Sequence, residues 1–310
     1  LLILAGPGSG KTRAITHRIA YLVQNRSVSP RRIMGITFTN KAAREMRDRL
    51  AELLGAMVVS QLTLGTFHSF GARVLRVDGA ANGIDKAFTI YDDDDQIRLL
   101  KACLQELNLD SKRYTPRAVQ NYISAAKSHL LTPADCASQT RSHFEEVALR
   151  VYERYQGRIQ QARALDFDDL IMSPVHLFRS HQDVADQYQS RYLHILIDEF
   201  QDTNTAQYAL AKELAAKHRN ICVVGDPDQS IYSWRFADIG NILSFEHDYP
   251  EAKVVYLEQN YRSTKTILEA ASHVIVANLE RKPYKLWTDN PQGAPISIAE
   301  VYDESEEAHF

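Results

Sequence analysis

AGPGSGKT, from Ala5 to Thr12, lies between the apolar run Leu1 to Leu4 and an amphipathic stretch that opens at Lys11, and this strand, loop and helix setting decides the fold. Glycines at Gly6, Gly8 and Gly10 let the backbone turn its N–H groups inward at a helix start, where the dipole adds positive potential for anionic oxygens. Lys11 offers a mobile charge for outer phosphates. Thr12 offers a hydroxyl to Mg²⁺, which keeps most of its waters and takes few protein ligands. The pattern predicts a phosphate-binding loop made by Ala5, Gly6, Pro7, Gly8, Ser9, Gly10, Lys11 and Thr12, with Ala5 departing from the usual leading glycine. Such a loop implies a nucleotide and is shared by many enzyme classes.

Outward from the loop, short apolar runs recur as LLILAG, IMGITF, HILIDE, ICVVGD and VVYLE, each bounded by turn or helix signals. Runs of this kind suit strands buried on both faces of a parallel sheet. With helical patterns between most of them, they predict a doubly wound α/β core with its ligand site at the carboxyl ends of the strands. From about Gly79 to Arg163 strand signals vanish and an inserted helical domain is expected. Thr115-Pro116 reads as N-cap and first helical residue, Ser142-x-x-Glu145 as a capping box, and Phe144, Val147, Val151, Tyr155 and Ile159 as a core-facing stripe. The acidic run Asp92 to Asp95 suits the positive end of a helix dipole better than a metal site. Past Glu258 a further unit is expected: a helix from Ser263 to Leu279, a connection through Pro283, Pro291 and Gly293, a strand PISIAEVY, and a helix from Asp303 to Phe310.

The 310 residues are 45% hydrophobic and 24% charged, an ordinary globular composition with room for about two or three domains. Cys103, Cys136 and Cys222 form no CxxC pair, which predicts a reducing, cytoplasmic setting without structural metal or disulfides. No apolar run approaches the ~18 residues of a membrane span, and the opening run is no signal peptide. The chain lacks an initiating Met and opens inside a strand, so it reads as a piece of something longer. Net charge is −3, yet residues 1–80 carry 12 Lys+Arg against 4 Asp+Glu. Either a local basic surface or a solvated helix face carrying Lys41, Arg44, Arg47 and Arg49 would account for that excess.

Further segments carry chemistry. HILIDEFQDTN ends a buried strand in Asp198 and Glu199, whose alternation lets one carboxylate hold a Mg²⁺ shell while the other orients or deprotonates water. The plain alternative is a solvated acidic strand end. VVGDPDQSIYSWR sets Gln229 close to Tyr232, Trp234 and Arg235, so one loop could bond a terminal phosphate and stack bases; otherwise Trp234 plugs the core. ITFTNKAAREM and GTFHSF place Phe38 or Phe67 at strand ends beside hydroxyls suited to phosphodiesters. His68 lacks a second metal ligand at a recognisable spacing, and His194 reads as a core histidine. LEQNYRST sets Tyr261 and Arg262 just before a helix, where the arginine could reach a phosphate.

In this order, AGPGSGKT, ITFTNKAAREM, GTFHSF, DFDDL, IDEFQDTN, VVGDPDQSIYSWR and LEQNYRST resemble the motifs of the UvrD/Rep/PcrA family of superfamily 1 DNA helicases, with similarity continuing through LWTDNPQG at Leu286 to Gly293. The resemblance implies a RecA-like P-loop NTPase sheet with an inserted all-helical domain: a first lobe over 1–80 and 164–257, the insertion over 81–163, and the start of a second lobe over 258–310. It implies ATP and Mg²⁺, with Lys11, Thr12 and Asp198 on phosphate and metal, Glu199 as general base and Gln229 sensing the γ-phosphate. It further implies Arg13 and Tyr261 beside adenine, and Arg262 near the γ-phosphate. Phe38, Thr39, Asn40, Thr66, His68, Tyr232, Trp234 and Arg235 would meet single-stranded DNA, and Asp166 to Leu170 would be a lesser motif. Phe236 stands where the family usually has glycine. The implied activity is ATP-driven translocation, 3′ to 5′, and duplex unwinding. Single-stranded DNA, its junctions with duplex, the second lobe and repair accessory proteins are the implied partners. A helicase subunit of a recombinational helicase–nuclease shares these motifs, and the isolated chain could instead be a nucleotide- and DNA-binding module of little turnover.

Overall fold

The structure, a computed structural model, describes residues 1–278, 282 and 284–310. Eight strands are present among them: β1 (Leu2–Ala5), β2 (Ile33–Thr37), β3 (Thr63–Thr66), β4 (Thr89–Ile90), β5 (Ala164–Leu165), β6 (His194–Ile197), β7 (Ile221–Gly225) and β8 (Val254–Leu257). Six form one parallel sheet in the order β3-β2-β6-β7-β1-β8. The apolar runs place alternate residues on opposite faces, as the strand period of two requires. Leu2, Leu4, Met34, Ile36, Ile195, Ile197 and Val223 enter one core with helices Phe67–Asp78, Asp169–Ser180, Gln182–Arg191 and Thr205–Ala215. Ile3, Ala5, Ile33, Leu196, Cys222 and Val224 enter the other with helices Lys11–Gln24 and Asn40–Leu54. The mixed α/β core is the expected RecA-like arrangement.

Because every strand of the sheet runs the same way, all six carboxyl ends share one edge. Across that edge follow the loops after β3, β2, β6, β7, β1 and β8. At ~4.8 Å per strand, the ends of β1 and β2 lie about 14 Å apart.

The helical segment has its own core, in which Leu100, Val119, Ile123, Val147, Val151, Tyr155 and Ile159 are buried. Its helices begin as the sequence predicts. Asp92 caps Asp93–Glu106 by accepting from the Asp95 amide at 2.9 Å, Thr115 caps Pro116–Ser128, and Ser142 and Glu145 form the capping box of His143–Gln161. Phe144 departs from its expected stripe: it is 36% exposed and meets Tyr122 edge-on. The segment is not purely helical, since β4 and β5 pair where the chain leaves and re-enters the sheet domain. At this junction helix Phe67–Asp78 approaches helix Asp169–Ser180 so closely that a Cβ on Gly71 would lie 1.8 Å from the Leu170 carbonyl oxygen. Lys127 sits there too, with its Nζ 2.7 Å from both Asp166 and Asp169 and all three side chains buried.

Beyond β8 the helix runs over Lys265–Ile275, shorter than expected, and Leu279 and Pro283 lie outside the described residues. PISIAEVY is not a strand. Ile298 is 94% and Tyr302 99% exposed, so its alternating apolar residues find no sheet to pack on among the described residues. The final helix is Glu304–His309, capped by Asp303. Cys103, Cys136 and Cys222 are buried and unpaired. No described helix is long and apolar enough to cross a membrane.

Candidate active site

The loop after β1 turns with Gly8 at φ +66° and Gly10 at φ +91°, left-handed conformations that glycine adopts without a Cβ clash. It delivers Lys11 to the first turn of its helix, where the leading amides have no intrahelical acceptor and remain free for an anion. Ser9 Oγ closes the loop by donating to the Gly6 carbonyl at 2.7 Å.

Lys11 Nζ donates to Gln229 Oε1 at 2.9 Å and lies 3.5 Å from Glu199 Oε2. Gln229 in turn donates from Nε2 to Asp226. Asp198, at the end of β6, accepts from the Glu199 amide at 3.0 Å and from the Thr12 hydroxyl. Burial, and then the charge of Glu199, pushes the Asp198 carboxyl up to about 6. Thr12 and Asp198 thus bring two hard oxygen donors together at the phosphate loop, a set suited to Mg²⁺. The described residues contain no cluster of three or more His, Cys, Asp or Glu arranged for a metal. His194 is half-buried at the start of β6, accepting from Asn220 at 2.7 Å, so it is satisfied but not a core residue.

Tyr261 and Arg262 reach the loop by a device that motif reading passed over. Asn260 is 1% exposed; its Nδ2 donates to the Pro7 carbonyl at 2.6 Å and its Oδ1 accepts from the Arg262 and Ser263 amides. The Tyr261 amide donates to the Gly8 carbonyl at 3.0 Å, and a Cβ on Gly8 would meet Arg262 Cβ at 2.7 Å. Arg13 and the Tyr261 ring are exposed at the same loop. From its other flank, Leu286 and Tyr284 close on Gly6, and Tyr284 donates to Asp226 at 2.7 Å. Neither contact has a signature in a single sequence.

Toward β2 and β3 a groove of about 750 Å³ opens between the sheet domain and helix Pro116–Ser128. Phe38, Thr39, Asn40, Thr66, His68, Trp234 and Arg235 line it, and Thr37 and Asp202 join them without having been singled out by the sequence. Tyr232 is not among the lining residues but packs behind them, its ring tilted 4.9 Å from Phe38 and 6.1 Å from Trp234, while the Arg235 guanidinium lies 4.6 Å over the Trp234 ring. Trp234 is 67% exposed and is no core plug. His68 meets Phe167 edge-on, and burial followed by Arg235 lowers it to about 4, so it is neutral at physiological pH. Phe236 takes φ +63°, which explains why glycine suits this position. Lys41, Arg44, Arg47 and Arg49 are exposed and none lines the groove; its cations are Arg117, paired with Asp93 at 2.7 Å, and Arg235. These four of the twelve early cations thus lie on an exposed helix face outside the groove.

The family model for the UvrD/REP helicase N-terminal domain matches residues 1–250, across the phosphate loop, the acidic strand end and the groove. The chain belongs to the UvrD/REP helicase family. The model for the UvrD-like helicase C-terminal domain matches residues 255–310. Over all 310 residues the chain is 51% identical to the ATP-dependent DNA helicase PcrA of Staphylococcus aureus (strain NCTC 8325 / PS 47), of which it covers 42%. It is 50% identical to the PcrA helicase of Leuconostoc citreum, covering 41%, and 51% identical to that of Staphylococcus epidermidis, covering 42%. The chain thus spans about two fifths of the length of these curated relatives. Within this UvrD/REP helicase fold, β8 pairs with β1 although the C-terminal model begins at residue 255, so the two matched regions share one sheet.

Proposed function

We propose that the edge of the sheet is a coupled site that hydrolyses ATP and moves the protein along single-stranded DNA. One observation carries this reading. The loop after β7 holds Gln229 against Lys11 at one end and presents Trp234 and Arg235 to the groove at the other, five and six residues later. A phosphate arriving at Lys11 must displace the Gln229 contact, and the displaced loop carries the groove's stacking surface with it.

In this reading the loop amides and Lys11 hold the phosphates, Thr12 and Asp198 hold Mg²⁺, and Glu199 takes the proton of the attacking water. Bound there, Mg²⁺ would neutralise charge on the phosphate oxygens. Gln229 senses the γ-phosphate, Arg262 approaches it, and Arg13 and Tyr261 flank the adenine. Phe38, Tyr232 and Trp234 offer aromatic faces to bases, while Thr39, Asn40, Thr66, His68 and Arg235 offer polar contacts. Residues 1–80 and 164–257 form the first lobe, 81–163 the insertion, and 258–310 the opening of a second lobe whose closure on the first would complete the site. Duplex unwinding and 3′ to 5′ travel are what the family likeness implies.

Trp234→Ala tests the groove. It is expected to weaken oligo-dT binding by about 1–3 kcal/mol while ATP binding and thermal stability hold. Unchanged oligo-dT affinity, with a lowered melting temperature, would instead make Trp234 a packing residue.

A further inference from the structure

The loop after β6 lies between the nucleotide side of the edge and the groove side, and two of its residues have no part in the reading above. Gln201 is 1% exposed. Its Nε2 donates to Glu199 Oε2 at 2.9 Å and to Asp202 Oδ2 at 3.2 Å, and its Oε1 accepts from the Asp226 amide at 3.0 Å. One buried amide therefore touches the carboxylate beside Lys11, the loop that anchors Gln229, and Asp202.

Asp202 is 7% exposed and lines the groove, and its second oxygen, Oδ1, is buried without a hydrogen-bond partner. Thr37, at the end of β2, repeats the pattern: it is 1% exposed, it lines the same groove, and its Oγ1 is buried and unpartnered. A buried oxygen left without a hydrogen-bond partner is destabilising, so two such atoms on one groove wall need an explanation. A ligand that brings N–H groups into the groove supplies it.

We propose that Gln201 and Asp202 are positioning residues that transmit occupancy of the groove to Glu199, the occupant being a base of single-stranded DNA whose N–H bonds Asp202 Oδ1. The proposal rests on the ATP- and DNA-coupled reading of the site. A base that draws on Asp202 shifts the carboxyl group to which the Gln201 amide is tied. The same amide holds Glu199 and the loop carrying Gln229, so the shift reaches the water-activating carboxylate through three hydrogen bonds. No covalent step is involved.

Two variants test the relay in the native protein. Gln201→Met keeps the side-chain length and removes all three bonds. Asp202→Asn keeps the shape but puts an NH2 donor where one of the two carboxylate oxygens stood, so either Gln201 or the base meets a donor in place of its acceptor. In both, the ratio of kcat at saturating oligo-dT to kcat without DNA is expected to fall about tenfold with KM for ATP within about twofold of wild type; Gln201→Met, which touches no base, also keeps oligo-dT affinity within about twofold, whereas Asp202→Asn alters the base contact itself and weakens it. A wild-type ratio in either variant overturns the relay. So does a fall that tracks a matching rise in KM for ATP in either variant, or a loss of oligo-dT affinity in Gln201→Met, which would assign these residues to binding or to the scaffold. If the wild-type protein itself shows no stimulation by oligo-dT, the functional reading fails first, and the relay with it.

Discussion

Lys11→Ala is expected to lower kcat for ATP hydrolysis by about 10²–10³-fold, the loss typical of removing one preorganised group that stabilises charge in the transition state. Lys11 is well placed for that role. Its side chain is only 10% exposed, it projects from the first turn of the helix behind the phosphate loop, and its present partners, Gln229 and Glu199, are polar groups that a phosphate would displace. The stability cost should be small by comparison. The contact with Glu199 is 3.5 Å long and the glutamate side chain is 34% exposed, so its loss is worth at most about 1 kcal/mol. Steady-state hydrolysis at saturating ATP, read beside a thermal melt, separates the two effects. A near-native rate with a lowered melting temperature would make Lys11 structural.

Lys127→Met is expected to destabilise the protein by about 3–5 kcal/mol, because it leaves buried carboxylates without their cation. Burial opposes the Lys127 charge, but Asp166 and Asp169 outweigh it and hold the ammonium more firmly than usual. Tyr155 completes the set by donating to Asp166 at 3.0 Å. Burial pushes Asp169 up to about 6 and Asp168 up to about 7, Asp166 adding to both, whereas the contacts of Asp166 with Lys127 offset its burial and leave it below the ordinary range. The cluster ties helix Pro116–Ser128 to the segment where the chain re-enters the sheet domain, so its loss should loosen the wall of the groove as well. Urea denaturation of Lys127→Met against a triple variant that also carries Asp166→Asn and Asp169→Asn gives the check. The single variant should be the less stable of the two, since the triple variant also removes the two carboxylates that Lys127 neutralises; equal stability of wild type and Lys127→Met would contradict the assignment.

How much of this was legible in the sequence depends on the range of each interaction. Strands buried on both faces leave continuous apolar runs, so β1, β2, β6, β7 and the phosphate loop could be read directly; β8 left an equally apolar run although, at the sheet edge, it is half-exposed and not buried on both faces. Helix starts were equally plain, because a cap directly precedes its helix and bonds an amide only three residues on, as at Asp92, Thr115 and Ser142. The motif residues on the nucleotide side meet because a parallel sheet gathers its carboxyl ends, which the α/β pattern already required. What sequence could not supply were pairings across long stretches of chain. Lys127 looks like one more solvated helix lysine until Asp166, 39 residues later, is folded against it. Asn260 and Gln201 are lone amides among motif residues, and only the folded loops reveal that one fastens the phosphate loop and the other bridges two strand ends. The pairing of β4 with β5, two residues each, is too short to leave a periodicity. PISIAEVY shows the reverse error: its alternation is that of a strand, but alternation alone does not provide a neighbour to bond.

In the proposed function the ATP site and the groove work as one device through the loop that joins Gln229 to Trp234. The most direct test is the steady-state rate of ATP hydrolysis by the native protein with and without saturating oligo-dT, repeated with Trp234→Ala at DNA concentrations that saturate the variant. The expected result is a rate that rises on adding oligo-dT and a smaller rise in the variant. An ATPase rate indifferent to bound oligo-dT would contradict it.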